Sequence, residues 1–143
     1  MNPSKPMLCL LLLASLLALP GCQGATRDAL GRGATYADPP LESRSVNIQV
    51  FRQAAKLTFS NTTPNTLPAG RLWVNGQFGY EIGETAVGQS RTLPLNLFEN
   101  EFGDRFRAGG FFATEPPSRL VLVELESGGE LIGFTIGQDD PDA

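Results

Sequence analysis

The chain has 143 residues, no histidine, two cysteines and a formal net charge of −4, from 11 Lys and Arg against 15 Asp and Glu. The absence of histidine excludes Ser-His-Asp and Cys-His catalysis and imidazole metal sites. An acidic chain with no basic cluster is also a poor nucleic-acid binder, because phosphate neutralisation supplies most of that affinity.

The first 21 residues have the pattern of an export signal. Residues Met1 to Pro6 carry one positive charge, on Lys5, and an almost unbroken apolar run extends from Met7 to Leu19. A run of about a dozen residues is shorter than the ~20 that a helix needs to cross the ~30 Å hydrocarbon core of a bilayer. The pattern therefore favours a signal peptide over a permanent transmembrane helix.

The end of this run, Leu19-Pro20-Gly21-Cys22, resembles the lipobox of bacterial lipoproteins, in which a peptidase cuts before the cysteine and the thiol carries diacylglycerol. The resemblance implies lipidation of Cys22 and anchoring in a membrane. By the sorting rule of that family, Gln23 in place of Asp implies the outer membrane. Pro20 departs from the pattern, which usually has a small residue such as Ala or Ser at this position.

The alternative is an ordinary cleaved signal that is cut near Gly24 or Ala25. Cys9 lies within the signal, so lipidation of Cys22 would leave the mature domain with no thiol and no disulfide. Removal of Lys5 leaves 10 Lys and Arg against 15 acidic residues, a net charge of −5. Because such a domain has no basic face for anionic lipid, we expect the anchor alone to hold it at the membrane.

Residues 22–45 are polar and interrupted by Gly and Pro, and we predict a flexible tether there. A coil of this length has an end-to-end distance on the order of 25 Å. Gly31-Arg32-Gly33 lacks the preceding strand and the Gly-Lys-Ser/Thr ending of a phosphate-binding loop, so it is assigned to the tether.

After Ser45, apolar and polar residues alternate with period two, and turn residues separate the runs. The predicted strands are Val46–Phe51, Lys56–Ser60, Arg71–Val74, Gln77–Ile82, Arg91–Phe98, Leu120–Glu126 and Glu130–Ile136. Pro94 cannot donate to a ladder and predicts an edge strand. About seven strands with Trp73 on the third resemble immunoglobulin and fibronectin type III domains, so we predict an all-β, Ig-like antiparallel sandwich over residues 46–143.

Asn75-Gly76 between two apolar runs predicts a β-hairpin, because both residues accept the positive φ of a type I′ turn. A two-residue turn would pair Trp73 with Phe78 and place both on one face with Tyr80 and Ile82. A continuous strand would instead point Trp73 away from Phe78. The hairpin is favoured because it forms an aromatic core cluster.

Two groups of carboxylates are candidates for a catalytic pair or a metal site. Glu124 and Glu126 project from one face of a strand, either as its solvated side or as the paired acid and base of a hydrolase. Glu99, Glu101 and Asp104 have the oxygen ligands that Ca²⁺ prefers, although their spacing matches no EF-hand loop. The solvated strand face and an ordinary acidic turn are the favoured interpretations.

Aromatic residues offer a contact surface. Phenylalanines in the least regular stretch could close the core, which is favoured for most of them, or form an exposed patch. Trp73 and Tyr80 could stack on sugar rings if they are exposed. The candidate binding surface comprises Asn75, Gly76, Phe102, Phe106, Phe111 and Phe112.

These observations predict a non-enzymatic lipoprotein of the cell envelope, in the outer membrane, that acts by contact with an envelope protein or a glycan. We expect no cofactor, no metal and no nucleic-acid partner. A carbohydrate-binding module is the first alternative, and a small hydrolase that uses Glu124 and Glu126 is the second.

Overall fold

The computed structural model describes residues 33–36 and 41–142. The predicted signal peptide, Cys22 and most of the predicted tether lie outside the described residues. Within these ranges, no helix is long and apolar enough to cross a membrane. The strands are β1 (Glu42–Gln53), β2 (Lys56–Ser60), β3 (Gly70–Val74), β4 (Phe78–Ile82), β5 (Ser90–Pro94), β6 (Val123–Ser127) and β7 (Glu130–Asp140), and a short 3₁₀ helix spans Leu95–Leu97. The all-β class is confirmed.

All seven strands belong to one mixed sheet, in the order β4-β3-β6-β7-β1-β2-β5, that curls into a half-barrel. Neighbouring strands are antiparallel except β1 and β7, which are parallel. The predicted Ig-like sandwich of two antiparallel sheets is not confirmed among the described residues. The reason is β1, whose 12 residues pair with β7 on one side and with β2 on the other, so that the two halves stay joined.

The concave face of the half-barrel holds the core, which follows from the period-two alternation of the strands. Its buried side chains from the strands include Ile48, Val50, Leu57, Phe59, Leu72, Val74, Val123, Leu125 and Ile132. The 3₁₀ helix and the segment after it close the open side, with Leu95, Phe98 and Phe106 in the same cluster. These residues cover the concave face where a sandwich would place its second sheet.

The predicted hairpin at Asn75-Gly76 is present, but its register differs by one residue from the two-residue turn. Val74 pairs with Phe78, so the loop has three residues, and Trp73 lies opposite Gly79. Asn75 and Gly76 both have positive φ, as expected, while the Gln77 N–H donates to the Val74 carbonyl at 3.2 Å and takes Gln77 into the loop. A slip of one residue exchanges the faces of a strand, and Trp73 therefore lies on the outer face, away from the core cluster.

Other predictions hold with shifted bounds. The β6–β7 hairpin turns at Gly128 and Gly129, and Ser127 pairs with Glu130. β5 is the edge strand that Pro94 predicts. β1 begins at Glu42 and not at Val46, because the residues before Val46 pair with the start of β7.

The two ends of the sheet carry different loops. Residues 54–55, 75–77 and 95–122 connect strands at one end, which we call the Asn75 end. Residues 61–69, 83–89 and 128–129 connect strands at the opposite end. The candidate site lies at the Asn75 end.

Candidate functional site

Asn75 and Gly76, predicted as surface residues, have structural partners. The Asn75 side-chain nitrogen donates to the carbonyl of Arg119 at 2.7 Å. Its oxygen accepts the N–H groups of Val121 at 2.9 Å and Leu122 at 3.3 Å. Asn75 therefore clamps the segment before β6 to the β3–β4 turn.

A short piece of the predicted tether is docked on the outer face of the sheet at this end. The Gly33 N–H donates to the Glu101 carbonyl at 2.6 Å, and the Thr35 hydroxyl donates to the Glu101 carboxylate at 2.9 Å. Tyr36 packs edge-on against Trp73 with ring centroids 5.5 Å apart. A Cβ added to Gly76 would lie 3.3 Å from the Tyr36 ring, which is closer than ordinary van der Waals contact, so Gly76 lets the ring approach the turn closely.

Glu124 and Glu126 share the outer face, as predicted, and each accepts a hydrogen bond from an aromatic donor. The Tyr36 hydroxyl donates to Glu124 at 2.5 Å, and the Trp73 indole N–H donates to Glu126 at 2.6 Å. Burial, the hydrogen bond to Glu124 and the charges of both carboxylates, in this order of size, together raise the pKa of Tyr36 to about 12. The two carboxylates hold Tyr36 and Trp73 in place, which explains how Trp73 is buried outside the core cluster.

The three acidic residues considered as Ca²⁺ ligands form ion pairs or hydrogen bonds with three different residues. Glu99 pairs with Arg105 at 3.3 Å, and the Asp104 carboxylate accepts from the Asn100 side chain at 3.0 Å. Glu101 holds the docked segment through Thr35. Among residues 33–36 and 41–142, no group of three or more His, Cys, Asp and Glu is placed to hold a metal ion.

The four candidate phenylalanines divide between core and surface. Phe106 is only 2 % exposed and packs edge-on against Phe78 at 5.4 Å, so it belongs to the core and not to a contact surface. Phe102 is 70 % exposed, Phe111 96 % and Phe112 91 %. Only these last three remain available for contact.

Phe111 and Phe112 form the tip of a loop over residues 107–118, which we call the aromatic loop. Their rings meet edge-on at 5.0 Å. The Ala113 N–H donates to the Gly110 carbonyl at 2.9 Å and closes a turn with the two rings at its centre. Both sides of the loop meet at its base, where the Ser118 N–H donates to the Arg107 carbonyl at 2.9 Å.

A fully buried arginine fixes the base of the aromatic loop. Arg52 donates to the carbonyls of Ala108 at 2.9 Å and Ser118 at 2.5 Å, and to the Asp139 carboxylate at 3.2 Å. Its guanidinium also lies 5.7 Å from the centre of the Phe106 ring. Arg52 is not among the predicted site residues, although it occupies the next inward position after Val50 in the alternation of β1.

A second surface lies on the outer face of β1 and β2. Phe51 is 40 % exposed, and its ring lies over Gly137, where an added Cβ would come within 2.9 Å. Asn47, Gln49 and Thr62 line the same pocket of about 330 Å³. The surface is uncharged, with one aromatic ring set beside amide and hydroxyl groups.

No family model matches this chain, and no curated protein or solved structure shows significant similarity to it. Function must therefore be inferred from the chemistry of these surfaces, because a fold class alone does not imply a function.

Proposed function

We propose that this protein is a non-enzymatic lipoprotein of the cell envelope, anchored through Cys22, that acts by contact through its Asn75 end. The observation that carries the proposal is the aromatic loop. Two adjacent phenylalanines are exposed almost completely at its tip, while its base is held by the buried Arg52. Exposed aromatic groups on an ordered support are typical of contact sites.

The anchor is supported by the lipobox-like motif that ends in Cys22 and by the identity of Gln23. One acyl chain gives only marginal membrane binding, at about 0.8 kcal/mol per buried CH₂, whereas two or more hold a protein stably. Lipoproteins of the type that the motif resembles carry two or three chains, so the proposed anchor is a stable one.

A non-enzymatic role is supported by the residue types and their contacts. The chain contains no histidine. Glu124 and Glu126, the pair considered for hydrolysis, accept hydrogen bonds from Tyr36 and Trp73. In this arrangement both carboxylates position aromatic side chains, and a general acid would have to give up such a bond to reach a substrate.

The anchor is tested by mass spectrometry of the protein from cells that are fed labelled palmitate. We expect a chain that starts at Cys22 and carries the label, and no label on the Cys22→Ala variant. An unlabelled mature chain that starts after Cys22, with its cut near Gly24 or Ala25, would contradict the anchor.

The contact site is tested by placing a photo-crosslinking amino acid at position 112 in cells, with Val87 as the matched control position. Val87 is 55 % exposed and lies in a loop at the opposite end of the sheet. We expect adducts from position 112 and few from position 87. Equal adduct yields at both positions would contradict contact through the Asn75 end.

A carbohydrate-binding module is the second candidate function, and the Phe51 surface favours it. An aromatic ring that lies over Gly137 on the outer face of the sheet, with amide and hydroxyl groups around it, offers both stacking and hydrogen bonds to a sugar. We expect the Phe51→Ala variant to lose binding to purified cell-wall glycan and the Phe111→Ala variant to bind it as the parent does. Equal retention of the parent and of Phe51→Ala would contradict a glycan site at this surface.

A further inference from the structure

We propose that the Phe111–Phe112 tip of the aromatic loop inserts into the bilayer that holds Cys22, so that the domain rests on the membrane at a second point. This inference rests on the proposed lipid anchor and deepens it. It names lipid as the material that the tip contacts. It also replaces the expectation that the anchor alone does the membrane work.

The position of the docked segment places the Asn75 end within reach of the membrane. Gly33 is fixed there by its hydrogen bond to Glu101, the neighbour of the exposed Phe102. The 11 residues from Gln23 to Gly33 span at most about 40 Å when fully extended, at ~3.6 Å per residue. The first described residue after Cys22 therefore lies at the same end of the sheet as the aromatic loop.

The docked segment joins the domain at one end of β3 and β4. β3 and β4, beside which the segment is docked, have five residues each, a length of about 17 Å at ~3.3 Å per residue. Gly33 is docked beside Glu101, at the end of these two strands that carries the β3–β4 turn, and Tyr36 lies against Gly76 in that turn. The part of the chain that leads to Cys22 thus joins the domain among the loops of the Asn75 end.

The chemistry of the tip suits a shallow position in lipid. The seven residues from Ala108 to Thr114 include no charged side chain. The charges that flank this stretch, Arg107 and Glu115, pair with each other at 3.1 Å. Insertion to the depth of the two rings therefore takes apolar surface out of water without carrying a charge into the hydrocarbon.

The support of the loop explains why the rings stay available. Arg52 binds the carbonyls of both Ala108 and Ser118, one on each side of the loop. With the base fixed to the core, the tip projects from the domain. A protein partner could cover the same rings, but the bilayer is the apolar phase to which Cys22 would tie this end.

The experiment uses the chain from Cys22 to Ala143, which contains every described residue and, in Cys22, a single thiol. The thiol is coupled to a maleimide lipid in phosphatidylethanolamine and phosphatidylglycerol vesicles with brominated acyl chains. Trp73 is the one native tryptophan, so the unsubstituted chain gives the background emission. Phe112→Trp reports on the tip, and Val87→Trp is the matched control at the opposite end.

We expect brominated lipid to quench most of the emission that Phe112→Trp adds, and acrylamide to quench little of it. The emission that Val87→Trp adds should be quenched by acrylamide and not by brominated lipid. If the added tryptophan of Phe112→Trp behaves like that of Val87→Trp, the inference is overturned. Phe111→Trp serves as the tip reporter if Phe112→Trp lowers the thermal midpoint.

Failure of the inference and failure of the anchor have different signatures. Chemical coupling of Cys22 fixes the attachment point whether or not cells add lipid there, so the vesicle result stands by itself. Absence of palmitate on Cys22 in cells overturns the proposed anchor. Adducts from position 112 that contain protein and no lipid, in cells where Cys22 is labelled, overturn insertion and leave the anchor in place.

Discussion

Phe106 and Phe111 lie five positions apart in the same irregular segment, yet one is buried in the core and the other is almost wholly exposed. Phe106 packs against Phe78 and beneath the Arg52 guanidinium. Phe111 meets Phe112 at the tip of the aromatic loop. The segment between β5 and β6 therefore has two structural parts: its first part closes the half-barrel, and its second part exposes two phenylalanine rings to solvent.

The difference predicts opposite outcomes for the same substitution at the two positions. Phe106→Ala should lower the free energy of unfolding by about 3–5 kcal/mol, because it removes a large buried ring and leaves a cavity. Phe111→Ala should stay within about 0.5 kcal/mol of the parent, since its ring is in water. Urea denaturation of both variants measures the two values, and similar losses would contradict the division of the segment.

The boundary between the two parts is the base of the loop, which Arg52 holds. Arg52→Met should lower the free energy of unfolding by about 3 kcal/mol, because the carbonyls of Ala108 and Ser118 and the Asp139 carboxylate would lose their buried donor. We also expect proteolysis to cut the aromatic loop faster in this variant. Arg44 provides the matched control.

Arg44 pairs with Glu130 at 2.7 Å, and both side chains are well exposed. Arg44→Met should cost at most about 1 kcal/mol, because exposed ion pairs contribute little. Denaturation and limited proteolysis of both variants give the comparison. A loop that is cut no faster in Arg52→Met than in Arg44→Met would show that its base is held by other contacts.

The strands could be predicted because alternation and turn residues are local signals. The β6–β7 hairpin follows directly from Gly128-Gly129, and the edge position of β5 follows from Pro94. The β3–β4 register could not be predicted, because the positive φ of Asn75 and Gly76 is compatible with both a two-residue and a three-residue loop. The resulting slip decides whether Trp73 faces the core.

The single sheet and the candidate site depend on contacts between residues far apart in the chain. The parallel pairing of β1 with β7 joins the first and last strands, and no local pattern indicates it. Tyr36 lies in a stretch whose composition is that of a tether, and its partner Glu124 is 88 positions away. Arg52, in contrast, could have been found by extending the inward alternation of β1 by two residues.

A substitution of Trp73 tests whether side-chain contacts on the outer face of the sheet stabilise the fold, as those of the core do. Trp73→Phe keeps an aromatic ring beside Tyr36 and removes the hydrogen bond to Glu126. We expect a loss of about 2 kcal/mol in the free energy of unfolding, the range of a hydrogen bond to a charged group. Thermal and urea denaturation measure this loss. An unchanged free energy of unfolding would mean that the hydrogen bond to Glu126 orients the Trp73 ring without stabilising the fold.

The smallest effect concerns Tyr36, which fastens the docked segment to the sheet. Its pKa is raised from the ordinary 10.0 to about 12, so the folded protein favours the neutral phenol that donates to Glu124. The contribution of Tyr36 to stability is therefore complete below pH 10 and is lost as the pH rises through about 12. Between these values, Trp73 should become more accessible to acrylamide.

Tyr36→Phe should show no such transition and cost about 1 kcal/mol at neutral pH, because it lacks the hydroxyl at every pH. If both proteins show the same change with pH, then the docking of this segment does not depend on the Tyr36 hydroxyl.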